Sequence, residues 1–149
     1  MVSLFPGYAN EVGEAFRSVA PKIFVHASYC LAFAYVFGDA GDKAIKAHRA
    51  EKATSNYSVA KVAKVGFDAL AWQSLASVII PGFVINRICA FSYFALCRLK
   101  ARKDVAKWTT TAIGLSSIPF IIHPIDTGVD IAFDKTIRPL LGIPPKYKD

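Results

Sequence analysis

Residues 65–97, VGFDALAWQSLASVIIPGFVINRICAFSYFALC, constrain everything else the chain can do. The stretch is almost wholly apolar, interrupted only by Asp68 near its start and Arg87 well inside. As one helix at ~1.5 Å per residue it reaches roughly 50 Å, beyond the ~30 Å of a bilayer's hydrocarbon core. Pro81-Gly82 stands near its centre. Proline withholds an amide donor and crowds the preceding turn, while glycine tolerates unusual dihedrals. The stretch is therefore either one kinked, tilted helix or two helical pieces broken at Pro81-Gly82. A lone guanidinium in lipid is costly. Arg87, with Asn86 beside it, is accordingly expected to be neutralised inside a bundle by Asp126, Asp130 or Asp68.

Other long runs also lack polar residues, whereas a soluble bundle interleaves them through every helix. Hydrophobic residues make up 54%, charged ones 19%, and the mean hydropathy is +0.36. These values fit one small all-α, polytopic membrane domain. The net charge of +7 would also suit a nucleic-acid binder. However, lysine and arginine gather beside apolar runs, where membrane proteins meet anionic headgroups. There is no aromatic-basic RNA motif, zinc-finger spacing or glycine-rich phosphate loop, so no nucleic-acid partner is expected. Cys30, Cys89 and Cys97 are odd in number and form no CxxC, which reads as buried free thiols rather than disulfides or a metal site. Glu11 and Glu14 occupy the region where a secretory signal's apolar core would lie, and no such signal is recognised.

Residues 8–19 read as a short amphipathic helix with Val12, Ala15, Phe16 and Val19 along one stripe and Asn10 as a cap. Glu11 and Glu14 read as solvated and favoured by the helix dipole; the alternative is that one reaches Arg87 or lines a partner surface. Residues 20–40 form the first span, with His26 as a packing residue and small residues Ala27, Ser28, Ala32 and Ala34 allowing close approach. Residues 41–64 read as a solvated basic loop, and Asn56-Tyr57-Ser58 matches the glycosylation pattern only as a chance occurrence. A second basic loop covers 98–107. Arg98, Lys100, Arg102, Lys103 and Lys107, with Trp108, are its headgroup candidates, able to hold anionic lipid such as cardiolipin. The third span covers 108–125 and contains Thr109–Thr111 and Pro119. Residues 126–149 read as an amphipathic helix and tail, with Pro124 suiting a first turn and Asp126, Asp130 and Asp134 sharing a face. If the central segment crosses once, the two basic loops lie on opposite sides; if it forms a hairpin, both lie on one. A three-span arrangement is kept ahead of the four-piece one.

No GxSxG, HExxH, catalytic carboxylate pair or Cys-His pair is present, and His26, His48 and His123 are far apart. No catalytic activity, cofactor or metal is expected.

The residues 7–17, GYANEVGEAFR, resemble the opening of the mitochondrial fission process protein 1 family, also called the mitochondrial 18 kDa protein family. Trp72-Gln73-Ser74-Leu75-Ala76-Ser77, Ile80-Pro81-Gly82-Phe83 and Ile85-Asn86-Arg87 match its central block. Lys107-Trp108-Thr109-Thr110-Thr111-Ala112, Ile122-His123-Pro124-Ile125-Asp126 and Val129-Asp130 match its third. Residues 43–64 and the tail after Arg138 depart from the family. The resemblance implies a helical, multi-pass protein of the mitochondrial inner membrane without known catalysis. It further implies links to the fission machinery and to respiratory coupling, and supplies no active-site residues. An accessory subunit of a respiratory complex or supercomplex is the second expectation, and a channel or carrier the third. Beside membrane lipid, other inner-membrane proteins are the expected partners.

Overall fold

The computed structural model describes residues 5–53 and 58–146, and all regular structure among them is helical. Asn56 and Tyr57 of the glycosylation pattern, and the last residues of the tail, lie outside the described residues. A short helix α1 (Ala9–Ala15) is flanked by single 3-10 turns at Phe5–Tyr8 and Phe16–Ser18. The long helix α2 (Lys22–Lys52) follows, then α3 (Val59–Ser74), a π-turn (Leu75–Ile79) and α4 (Ile80–Arg98). Helix α5 (Lys103–Lys135) and the single turn α6 (Ile137–Leu141) complete the chain. By length and composition, α2, the α3–α4 rod Val59–Arg98 and α5 can each cross a membrane.

The central stretch is one rod, not two pieces. Pro81 has no N–H for the Ser77 carbonyl, and the chain meets this by widening the turn just upstream. The Ile80 N–H donates to the Leu75 carbonyl, five residues back. The two basic segments therefore lie at opposite ends of the bundle. Helix α2 runs antiparallel to the rod, closing Ala32 and Val36 on Val78 with Tyr29, Phe33 and Leu70 around them. Helix α5 runs antiparallel on the other side, burying Val129 and Phe133 against Ala76, Trp72 and Leu75. Outward faces stay apolar: Phe91 is 74% exposed and Phe120 78%. Such rods suit a hydrocarbon surround.

Three elements depart from the sequence reading. Residues 41–52 continue α2 instead of forming a loop, because the ion pairs Lys43–Asp39 (2.7 Å) and Lys46–Asp42 (2.5 Å) brace its exposed turns and the alanines between them favour helix. Only 53–58 connects α2 to α3. The expected third span and terminal helix are one helix, α5, which runs through both Pro119 and Pro124 and starts as early as Lys103. Helix α1 turns its polar side inward: Asn10, Glu11, Gly13 and Glu14 are buried with Ala15, while Val12 is half-buried. Asn10 does not cap it. His26, Cys30 and Cys97 face outward, and only Cys89 of the free thiols is buried.

Glycines make this inversion possible. A methyl group on Gly13 would collide with Ser28 Oγ and lie 2.8 Å from its Cβ; one on Gly114 would lie 2.7 Å from Cys89 Sγ and 3.2 Å from Ala15 Cα. Gly13→Ala should lower stability by about 1–3 kcal/mol through overpacking, read as a lowered thermal unfolding midpoint in detergent. Gly38→Ala, where nothing lies within 4 Å, should be neutral or stabilising by roughly 0.5–1 kcal/mol. Equal behaviour of the two variants would contradict the close seating of α1.

Candidate functional site

Helix α1 lies along the inside of the bundle, antiparallel to α2 and α5. Gly7 meets Tyr35, Gly13 meets Ser28, Ala15 meets Gly114, and Ser18 Oγ donates to the Lys107 carbonyl at 3.2 Å. Its polar groups need partners there, since an unpaired polar group buried away from water costs several kcal/mol. Asn10 Nδ2 donates to the Val78 carbonyl at 2.9 Å, reaching into the π-turn where the helix backbone opens ahead of Pro81.

Glu14 is the hub. Arg17 Nε donates to its Oε2 and Arg17 Nη2 to its Oε1, both at 2.6 Å, a two-pronged charged contact. The Tyr29 hydroxyl donates to Oε1 at 3.0 Å and Asn86 Nδ2 to Oε2 at 2.9 Å. Burial works to raise its pKa, but the hydrogen bonds from Arg17, Asn86 and Tyr29 outweigh it and hold Glu14 below the usual carboxylate range. Glu11, one turn earlier and fully buried, has no hydrogen-bond partner for either carboxylate oxygen among the described residues. Burial, with nearby Asp126 adding to it, pushes its pKa up to about 8. Two glutamates a turn apart thus hold opposite protonation states. Glu14 is an ionised anchor, and Glu11 keeps its proton at neutral pH.

The predicted site residues fall into three places. Asn86 joins the hub. Pro81 and Gly82 are buried beside it, with Gly82 against the Tyr29 hydroxyl. Arg87 does not meet Asp68, Asp126 or Asp130. It is exposed, stacks over Phe83 at 5.5 Å, and donates to Asn86 Oδ1 through Nη2 at 2.6 Å. A helix turns residue 87 away from the face that carries Ile85 and Cys89, and the carboxylates lie on the inner side. The alternative that a glutamate reaches Arg87 is met at one remove, through Asn86.

Asp68 and Asp130 instead surround Arg138, which is 3% exposed. Its Nε lies 3.2 Å from Asp68 Oδ1, Nη2 lies 3.2 Å from Asp130 Oδ1, and Nη1 lies 2.6 Å from Asp134 Oδ1. Lys146 Nζ adds a 3.2 Å contact to Asp130 and stands 4.4 Å over the Trp72 ring. This clamp ties α6 and the tail to α3 and α5. Asp126 stays apart, half-buried near Tyr8 and Glu11.

The basic candidates occupy the opposite end. Arg98, Lys100, Arg102 and Lys103 are exposed, Lys107 is half-buried and Trp108 is 62% exposed. Among the described residues none of these cations forms an ion pair, whereas the other end holds Lys43, Lys46, Lys61, Arg138 and Lys146 in pairs. Sequence reading missed Asn10, Glu11, Glu14, Arg17 and Tyr29 as one cluster. The available signal was two acids set among Gly7, Ala9, Gly13 and Ala15, a helix slim enough to be enclosed.

A profile of the family described as Mitochondrial 18 KDa protein matches residues 3–133. The chain belongs to this family. Relatives named Mitochondrial fission process protein 1 include one from Danio rerio, 53% identical over 137 residues, covering 91% of this chain and 82% of that protein. The Homo sapiens relative is 50% identical over 135 residues (90% and 81%), and that of Caenorhabditis elegans 48% over 139 (93% and 84%). No solved structure matches. The family match takes in α1, the whole hub and the basic end. It stops before Arg138, so the clamp joins residues inside the matched region, Asp68 and Asp130, to an arginine beyond it.

Glu11 gives a pH signature for this family member. Its folded pKa lies above the ordinary carboxylate value of 4.5, so the stability it contributes is complete below that value and is lost as pH rises through about 8. Glu11→Gln should flatten the fall in thermal midpoint between these limits and exceed the parent protein above pH 8. An unchanged slope would mean Glu11 is ionised in the fold. Glu14→Gln removes an acceptor of charged bonds and should cost about 1–3 kcal/mol, discounted because Arg17 is half in solvent. A double-mutant cycle with Arg17→Met should show coupling, and additive losses would contradict the pairing.

Proposed function

We propose that this protein acts in mitochondrial fission as a non-enzymatic, multi-pass protein of the mitochondrial inner membrane, and that it does so by docking another membrane protein. Inner-membrane organisation and respiratory coupling follow as the processes such docking would influence. The relatives' shared name supports the fission role, and three helices of membrane-crossing length and composition support the placement in a bilayer.

One observation carries the docking step. Phe83, Arg87, Phe91 and Phe94 recur at three- and four-residue intervals and form an exposed stripe on α4. Arg87 lies about 16 Å along the axis from Arg98, deep within the apolar band. The hub it joins holds two cations, Arg17 and Arg87, around the single ionised carboxylate of Glu14. One positive charge is therefore left over, on the outward side of α4 over the Phe83 ring. A transmembrane helix carrying a carboxylate at the same depth would neutralise it, and the aromatic stripe would supply the packing surface.

The test is affinity capture of the tagged full-length protein from mitochondria in mild detergent. Arg87→Met should leave the unfolding free energy within about 1 kcal/mol of the parent, because Arg87 is exposed. It should nevertheless lose a specific membrane-protein partner at least fivefold and impair fission, with Arg87→Lys intermediate. Unchanged capture would remove the docking step. Recovery of an intact respiratory complex as the partner would replace the fission reading by that of an accessory subunit.

A further inference from the structure

We propose that the cleft between α1 and the α4–α5 hairpin is a binding site for the phosphate of an anionic phospholipid. The proposal rests on the bilayer-spanning reading above. The cleft has a volume of about 340 Å³, and Arg17, Asn86, Ala90, Tyr93, Lys107 and Thr110 are among its walls. Pockets of this size hold small ligands or a lipid headgroup.

Its chemistry is that of an anion site. Two cations line it from different elements, Arg17 in the 3-10 turn after α1 and Lys107 in α5. Arg17 spends Nε and Nη2 on Glu14, and among the described residues Nη1 makes no hydrogen bond. Lys107 has no ion-pair partner among them either. Glu14 cannot compensate for both cations, since its oxygens already accept from Arg17, Tyr29 and Asn86. The Thr110 hydroxyl, on the same wall and 1% exposed, is buried without a partner among the described residues. A phosphate would accept from all three, with charge-assisted bonds from the two cations. Asp104 is the one acid in the basic segment 98–107, and it is exposed and absent from the wall.

A lipid suits the surroundings better than free phosphate. Ala90, the smallest side chain of the wall, is exposed, so the cleft opens toward the outward side of α4. Trp108, adjoining Lys107, is 62% exposed, as expected of a residue at headgroup level. Lys107 therefore sits where a phosphate would be met, with an apolar face running away from it along α4.

The experiment uses the full-length protein in detergent micelles doped with dioleoylphosphatidylglycerol, dioleoylphosphatidylcholine or inorganic phosphate, with retained ligand counted by native mass spectrometry. Phosphatidylglycerol should be retained about tenfold more tightly than phosphatidylcholine. Lys107→Gln and the near-isosteric Thr110→Val should each weaken that preference by roughly fivefold to tenfold, while Lys22→Gln, at an exposed lysine of α2 outside the cleft wall, should change it less than about twofold. Equal retention of the two lipids would overturn the site. So would an effect of Lys22→Gln as large as that of Lys107→Gln, which would mark diffuse surface attraction. Displacement of the lipid by millimolar phosphate, lost in Lys107→Gln, would assign the cleft to a free anion and overturn the lipid. Insertion into liposomes, measured separately by resistance to alkaline extraction, tells these outcomes from a failure of the bilayer reading itself.

Discussion

The contact on which the rest of the structure depends is the carboxylate of Glu14, held from three sides by Arg17, Tyr29 and Asn86. Three apolar rods by themselves would close on one another through side chains alone. Here a polar helix lies among them, and that is tolerable only because its charge is fully answered. The answer comes from three elements at once, α1 itself, α2 and α4, so the hub fixes the mutual register of the rods. Asn10 extends the same logic to the backbone by donating to the Val78 carbonyl at the π-turn. A proline in the middle of the central rod thus becomes a docking point, since the turn that accommodates it is where α1 is attached.

The two ends of the bundle solve the charge problem differently. At the Arg138 end, cations and carboxylates are matched and largely withdrawn from solvent, which ties the tail down as a structural clasp. At the Lys107 end, cations outnumber acids, and among the described residues Arg98, Lys100, Arg102, Lys103 and Lys107 form no ion pair. A paired cluster holds the fold together but offers nothing to a ligand. The unpaired one leaves its binding capacity for something outside the chain.

Much of the architecture was legible in the residues because apolar length is a strong signal. Three helices of membrane-crossing length, an irregular turn in the central rod near Pro81-Gly82 and the tryptophan beside a basic turn all follow from hydropathy and proline chemistry. The charged loop at 41–64 misled because density of charge looks like solvation, whereas Asp39 and Lys43 sit one helical turn apart and brace a helix just as well. Arg87 was read inward from its cost in lipid alone. That argument gives the price of exposure but not the direction in which residue 87 points, which depends on the phase of α4 set by Ile85 and Cys89. Arg138, closing a short turn near the tail, carried no hydropathy signal at all. The inward polar face of α1 was hidden for the same reason: Val12, Ala15, Phe16 and Val19 form a plausible apolar stripe, and only the neighbours of Gly13 decide which side is enclosed.

The placement of α1 has a bearing on how the molecule is put together. Its contacts lie on residues 25–36, 78–89 and 110–126, all of them later in the chain. The seat of α1 is therefore built from all three long helical elements and exists only where they lie side by side. Asn10 and Glu14 accordingly meet their partners from α2 and the α3–α4 rod only in the closed bundle.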